Sequence, residues 1–260
     1  MTKTDESFRI LNHEIEVAEI MAAAAAFTVH RRSQIVVAKS RPEQEAEQLP
    51  AIARYTDHAH QTILAARTAI RDRYSPTSTV RLTTPQLPEN TFHSGTPRRR
   101  QVTRALTVTL NRLWDIVGFV YDVINQPQVP RTDELADLVY FHTFAACGQW
   151  SIAHRAYQRA TRRRRPRLNS EEFDLQTAGI AFALKGRIPD PVWQGFAEVM
   201  DGGEYCLILE DIVGVLIDNK LPVTIVEYDT LVSLLHYIEL PNYRPALAER
   251  LTVSPIHDIL

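Results

Sequence analysis

Cysteine, glycine and long apolar runs are all scarce in this chain, and each scarcity closes off a class of function. Two cysteines, Cys147 and Cys206, stand in 260 residues, too few for a disulfide framework or a four-cysteine zinc site. Both fall on apolar helical patterns, where a buried free thiol in a reducing compartment is expected. The nine glycines form no phosphate-cradling loop. No G-x-S-x-G elbow, H-E-x-x-H pair or Cys-His pair accompanies them, so nothing points to an enzyme. The apolar tract at 21–27 is closed by His30, Arg31 and Arg32, and no run approaches the roughly 20 residues that span a bilayer. The amino terminus, MTKTDESFRI, carries acids where a secretion signal needs a basic start and an apolar run. These absences predict a cytoplasmic protein with no metal, no cofactor and no membrane partner.

What is present is helical. Apolar residues make up 45% and charged residues 23%, enough to bury a core and ordinary for a folded chain. Phe8, Leu11, Ile15 and Ala18 recur at helical spacing after a possible Thr4 cap, and that helix enters the alanine tract. Gln34–Ala38 (QIVVA) reads equally as a short strand or as more of the same helix. Arg41-Pro42 and Leu49-Pro50 read as breakers. A helix over 51–74 then puts Ile52, Tyr55, Ala59, Ile63, Ala66 and Ile70 on one face. Residues 75–97, with four prolines and many Thr and Ser, show no period and read as a linker or long surface loop, with Val80–Leu82 as a minor strand.

Helix resumes over 98–125, with Leu106, Leu110, Leu113, Val117, Val120 and Ile124 as its stripe. Two more helices are expected on either side of a turn at Gly148, the second ending at Arg165-Pro166. Beyond them the punctuation is clearer. Asn169 with Glu172 and Thr224 with Glu227 are capping-box pairs, and Val223 can staple against Tyr228. Gly186 reads as a left-handed stop, Asp190-Pro191 as a helix start, and Asp201 with Glu204 as a further cap. The expected fold is all-α, a bundle or stack of αα-hairpins with little or no sheet. Its parts are helices over 1–74, the segment 75–97, a basic helical region over 98–167 and an acidic one over 168–260.

The net charge of −2 conceals a split. Residues 1–167 hold 24 Lys and Arg against 16 Asp and Glu, a balance of +8, whereas 168–260 hold 5 against 15, a balance of −10. Such asymmetry marks either separate interaction surfaces or two parts that face each other. Two arginine runs, Arg98, Arg99, Arg100 and Arg162, Arg163, Arg164, Arg165, have the chemistry to contact nucleic-acid phosphates. No nucleic-acid-binding motif accompanies them, and a solvated surface accounts for the same residues. Asp57, His58 and His60 form a cluster that could suggest a metal, but on a helix positions 58 and 60 point to different faces and do not share an ion. Glu204, Glu210, Asp211, Asp218, Glu227 and Asp229 lie on two adjoining helices. An acidic face of this kind speeds encounter with a basic partner, although carboxylates on a soluble surface need no partner.

Gly148-Gln-Trp150, Ala153, Tyr157 and Ala160 resemble the second half of a tetratricopeptide repeat, which implies a helical hairpin over 133–166; an ordinary αα-hairpin explains them as well. Ile188-Pro189-Asp190, Gly203-Glu204-Tyr205, Asp218, Leu221-Pro222-Val223-Thr224 and Glu227-Tyr228 together resemble the small helical immunity proteins of the MafI type. The likeness covers 188–240. It implies binding and neutralisation of a cognate bacterial toxin that presents a basic surface. The alternatives are a helical nucleic-acid-associated regulator working through the Arg-rich region, and a helical-repeat adaptor.

Overall fold

The structure, a computed structural model, describes residues 3–38, 44–73, 97–125, 134–161 and 167–251. Among them are nine α-helices and one 3-10 turn but no strand, so the chain is all-α. A lone parallel bridge joins Val223 to Leu251. The expected minor strand at 80–82, the Arg41-Pro42 breaker and most of 75–97 lie outside the described residues.

The four long helices α1 (Lys3–Ala38), α2 (Gln44–Arg73), α3 (Arg99–Ile124) and α4 (Glu134–Thr161) form a ring. Each touches two others: α1 lies against α2 and α3, and α4 closes the ring against the same two. Polar ties set the register. Arg67 bonds Glu16 at 2.6 Å and Glu19 at 2.7 Å, while His30 pairs with Asp57 at 2.6 Å, so α1 and α2 are antiparallel. Arg112 pairs with Glu14, and Arg32 donates to the Pro97 carbonyl at 3.3 Å, so α3 is antiparallel to α1 as well. The helices α2 and α3 therefore run the same way. The end of α2 and the start of α3 thus lie at opposite ends of the bundle.

The sequence explains why α1 and α2 outlast their expected ends. Val29 and Val36, seven residues apart, are both buried, so QIVVA carries the same stripe onward as helix. Pro50 was expected to break the chain but sits inside α2. A proline removes one N–H and costs about 3 kcal/mol in a helix interior. Leu49, Ile52, Ile63 and Ile70, all fully buried, each return about 1.5–3 kcal/mol. Burial wins.

The turn expected at Gly148 is also corrected. Helix α4 passes straight through it, so Glu134–Thr161 is one continuous helix and not a hairpin turning at Gly148. From Thr143 to Ala153 every residue is buried, because α4 is surrounded by α2, α3, α5 (Ser170–Leu184) and α8 (Ile225–Tyr237). A helix buried on all sides has no polar face to give it a period. Gly148 instead meets Gly179 where α4 and α5 cross. A Cβ on Gly148 would lie 1.9 Å from the Leu175 carbonyl oxygen, and one on Gly179 would lie 2.5 Å from the Gln149 nitrogen. Nearby, Gln176 donates to Ser151 at 3.0 Å, and Thr62 of α2 donates to Gln149 at 2.8 Å.

In the carboxy-terminal part the two capping boxes form as read, with Asn169 accepting from Glu172 N–H at 2.8 Å and Thr224 from Glu227 N–H at 3.3 Å. Three other signals are corrected. Gly186 has no positive φ; α5 closes through the Arg187 and Ile188 N–H groups on the Leu184 carbonyl, at 2.8 and 3.1 Å. Helix α6 (Asp190–Asp201) takes Pro189 as its cap, one residue earlier than expected. Asp201 does not cap α7 (Tyr205–Asp218): it is the last residue of α6, and Glu204 takes the cap position without a side-chain bond. Gly203 there has φ +75°, with its N–H on Met200 O at 3.0 Å and the Glu204 N–H on Val199 O at 3.3 Å. This is the Schellman closure. Lys220 and Glu239, at φ 54° and 61°, end α7 and α8 the same way. After a 3-10 turn at Pro241–Tyr243, α9 (Arg244–Ala248) packs on α7 and α8.

One buried group gives the fold a pH dependence. The His142 ring meets Phe182 edge-on at 5.5 Å, and its Nδ1 has no hydrogen-bond partner among the described residues. Burial, and then the Lys185 ammonium, hold its pKa down to about 4. In the unfolded chain the ring titrates near about 6.5, so the unfolded state takes up the proton first. The stability contributed by the neutral ring is complete above that value and is lost as the pH falls toward 4. The expected loss is on the order of 3 kcal/mol. A His142→Gln variant should flatten the acid limb of a Tm-versus-pH curve; an unchanged limb would refute the assignment.

Candidate functional site

The acidic set divides in two. Glu204, Glu210, Asp211 and Asp218 are exposed along the outer side of α7, while Ile208, Leu209, Ile212, Val213 and Leu216 hold its inner side in the core. None of the four carboxylates pairs with another described residue. The other two are placed differently. Glu227 is 3% exposed; it accepts both guanidinium nitrogens of Arg187 and the Thr224 N–H, the last at 2.7 Å. Asp229 lies 3.9 Å from Arg159 of α4. Glu227 is thus used within the fold, and Asp229 is half-buried, with its side chain 30% exposed.

Part of the charge split is therefore internal. Besides Arg159 and Asp229, the buried Arg155 of α4 donates to Glu172 of α5 at 3.2 Å. Arg98, Arg99 and Arg100 are exposed at the start of α3, and Arg162–Arg165 lie outside the described residues. The Asp57-His58-Ala-His60 cluster separates as expected. Asp57 pairs with His30, His60 pairs with Glu19 at 2.9 Å, and His58 is exposed. No group of His, Cys, Asp and Glu able to hold a metal occurs among the described residues, and no described helix is long and apolar enough to cross a membrane. Cys147 is buried, and burial pushes its thiol pKa up; Cys206, against expectation, is exposed on α7.

The structure also brings together a feature the sequence reading missed. A groove of about 460 Å³ opens where α3, α4, α5 and the α6–α7 turn converge. One side is aromatic. The Tyr140 and Phe144 rings of α4 lie 5.8 Å apart and within 20° of parallel; Tyr121 of α3 stands 6.2 Å from Tyr140, and Tyr205 of α7 stands 6.0 Å from Phe144. Trp114 and Tyr121, one heptad apart on α3, are 42% and 56% exposed at the rim. Glu171 and Asp174 of α5 supply the acids, and among the described residues no Lys, Arg or His lines the groove. The left-handed Gly203 turns the chain so that Tyr205 enters it.

The electrostatics of the groove are one-signed. Burial raises the Asp174 carboxyl above its ordinary pKa. Burial, then Tyr140, then Asp174 push the Tyr205 hydroxyl well above the ordinary tyrosine range. On the neighbouring surface Cys206 is raised by burial and by Asp174, Glu210 and Glu204. The negative field thus runs from the groove onto the acidic side of α7. A sequence signal for it existed in Trp114 and Tyr121, two large aromatics off the apolar stripe of α3. Their convergence with α4 and α5 depends on tertiary packing. Comparison with known protein families, characterised proteins and solved structures finds nothing that matches this chain.

Proposed function

We propose that the chain is a non-enzymatic binding protein of the immunity or antitoxin type, which neutralises a bacterial toxin by covering a basic surface on it. The observation that carries this reading is the outer side of α7, where Glu204, Glu210, Asp211 and Asp218 are all exposed and none is used internally. The likeness of residues 188–240 to MafI-type immunity proteins supplies the partner class. An acidic surface of this kind accelerates encounter with a cationic protein and rejects like-charged ones.

Co-expression with the toxin encoded beside the gene tests it. The wild type should rescue growth and bind the toxin stoichiometrically. Replacing Glu210, Asp211 and Asp218 together by Lys should weaken binding by about 100-fold or more, since like charges across an interface cost several kcal/mol, with Tm little changed. Full protection by that variant would sink the proposal. Retention on nucleic acid that falls steeply with salt and disappears when Arg98, Arg99 and Arg100 become Ser would favour the regulator reading instead.

A further inference from the structure

We propose that the aromatic groove is a binding site for an organic cation, presented as an arginine side chain of the partner protein. The inference deepens the basic-partner reading and rests on it only for the source of the cation; the groove's own chemistry stands apart from it.

Three observations converge on a cation. First, Asp174 holds a half-buried carboxylate in an aromatic setting, with no positive group lining the groove or paired to it among the described residues. A charge in that position is left uncompensated unless a ligand supplies the counter-charge. Second, the walls are π faces. Tyr140 and Phe144 are nearly parallel, and Tyr205 and Tyr121 flank them at about 6 Å. Such faces attract cations, and a planar guanidinium stacks on them while donating to a carboxylate. Third, Trp114 and Tyr121 leave large aromatic area in water at the rim, which suits the stem of a long side chain. The volume of about 460 Å³ falls within the range of small-ligand sites. An anion would meet Asp174, Glu171 and the exposed Glu204 and Glu210. A neutral apolar ligand would leave Asp174 unpaired.

The field explains how the groove and the acidic surface act together. Tyr205 lines the groove and sits between the exposed Glu204 and Cys206 at the start of α7, so a basic partner drawn to α7 meets the mouth of the groove. Its anchor is then the one side chain that is buried, and the surrounding carboxylates set the approach.

The probe is Nα-acetyl-arginine amide, with the citrulline amide as the uncharged analogue of the same shape. Binding is followed by calorimetry and by the Trp114 indole resonance. The arginine compound should saturate, and the citrulline compound should bind at least about tenfold more weakly, the ratio one charge-assisted contact gives. Asp174→Asn should lose about tenfold for arginine and little for citrulline, and Tyr140→Leu should weaken arginine binding at unchanged helicity. Glu249→Gln, exposed just after α9 and not among the residues that line the groove, should change nothing. Affinity should also fall with pH as Asp174 takes a proton, beginning above the usual aspartate range. Glu171, Glu204, Glu210, Tyr121, Tyr140, Tyr205 and Cys206 face the same region, so Asp174→Asn must remove most of that dependence.

Equal binding of arginine and citrulline, indifference to Asp174→Asn, or no saturable response at the solubility limit would each overturn the proposal. If arginine binds and no toxin is neutralised, the site stands and its cation comes from another protein. If the toxin is neutralised and arginine does not bind, the groove is excluded and α7 alone carries the interface.

Discussion

Replacing Gly148 by alanine is expected to cost about 3 kcal/mol or more, although it removes a glycine from a helix interior. Helix propensity alone predicts the opposite, a gain of about 1 kcal/mol. Contact decides the sign. The new Cβ would sit 1.9 Å from the Leu175 carbonyl oxygen and 2.9 Å from the Gly179 nitrogen. Both are backbone atoms of α5, so no rotamer change relieves the clash and the two helices must separate. Overpacking usually costs about 1–3 kcal/mol when side chains can yield. Here the buried Gln176–Ser151 bond is lost as well. Gly179→Ala should behave alike, from the other side of the same crossing.

Gly118→Ala supplies the contrast. That residue is exposed within α3 and a Cβ there meets nothing within 4 Å, so about 0.5–1 kcal/mol of stabilisation is expected. Urea unfolding of the three variants, compared at the midpoint with m unchanged, reads both signs in one experiment. A Gly148→Ala midpoint equal to the wild type would mean that α4 and α5 do not cross there.

The second large effect is expected at Glu227. Its carboxylate is almost fully buried, receives Arg187 twice and closes the capping box of α8. Removing one partner of a buried ion pair costs about 3–5 kcal/mol. Arg187 keeps its bond to the Pro222 carbonyl at 2.7 Å and is 30% exposed, so water can solvate the orphaned guanidinium in part. About 2–4 kcal/mol is therefore the expected cost of Glu227→Ala. Arg187→Met should cost a comparable amount because it strands the carboxylate. The double variant should cost less than the two singles added, with a coupling of about 1–3 kcal/mol in a double-mutant cycle. Strict additivity would show that the pair is not formed. Tyr55 of α2 feels both charges, and burial followed by Glu227 raises its hydroxyl pKa. The pair thus lies against the amino-terminal helices as well as within the acidic part.

These two sites show what the sequence made legible. The capping boxes at Asn169 and Thr224 could be read because the pattern is local: four consecutive residues satisfy one another's backbone groups. The stripes of α1, α3 and α7 could be read because one side of each helix meets water. Gly148 was misread because α4 meets water on almost no side, and in such a helix glycine reports a close crossing as readily as a turn. Pro50 was misread because a breaker is a local cost, and the core that overrides it is assembled from distant residues. Among the six acidic residues, exposure could be inferred on α7, where the stripe is clear. Glu227 could not be classified that way, since its cap role and its Arg187 partner, 40 residues earlier in sequence, place it inside. The aromatic groove draws its residues from five helices, so its only trace in the sequence is the pair of exposed rings on α3.

The complete burial of α4 between Thr143 and Ala153 has a consequence for how the protein opens. Backbone amides exchange with solvent through the least costly fluctuation that exposes them. Fraying exposes the outer helices, but the middle of α4 is covered by α2, α3, α5 and α8 together, so no single neighbour can lift away and uncover it. Its amides should exchange last, at a rate set by unfolding of the whole molecule. Deuterium uptake in that one stretch would then gauge the stability of the basic and acidic regions jointly.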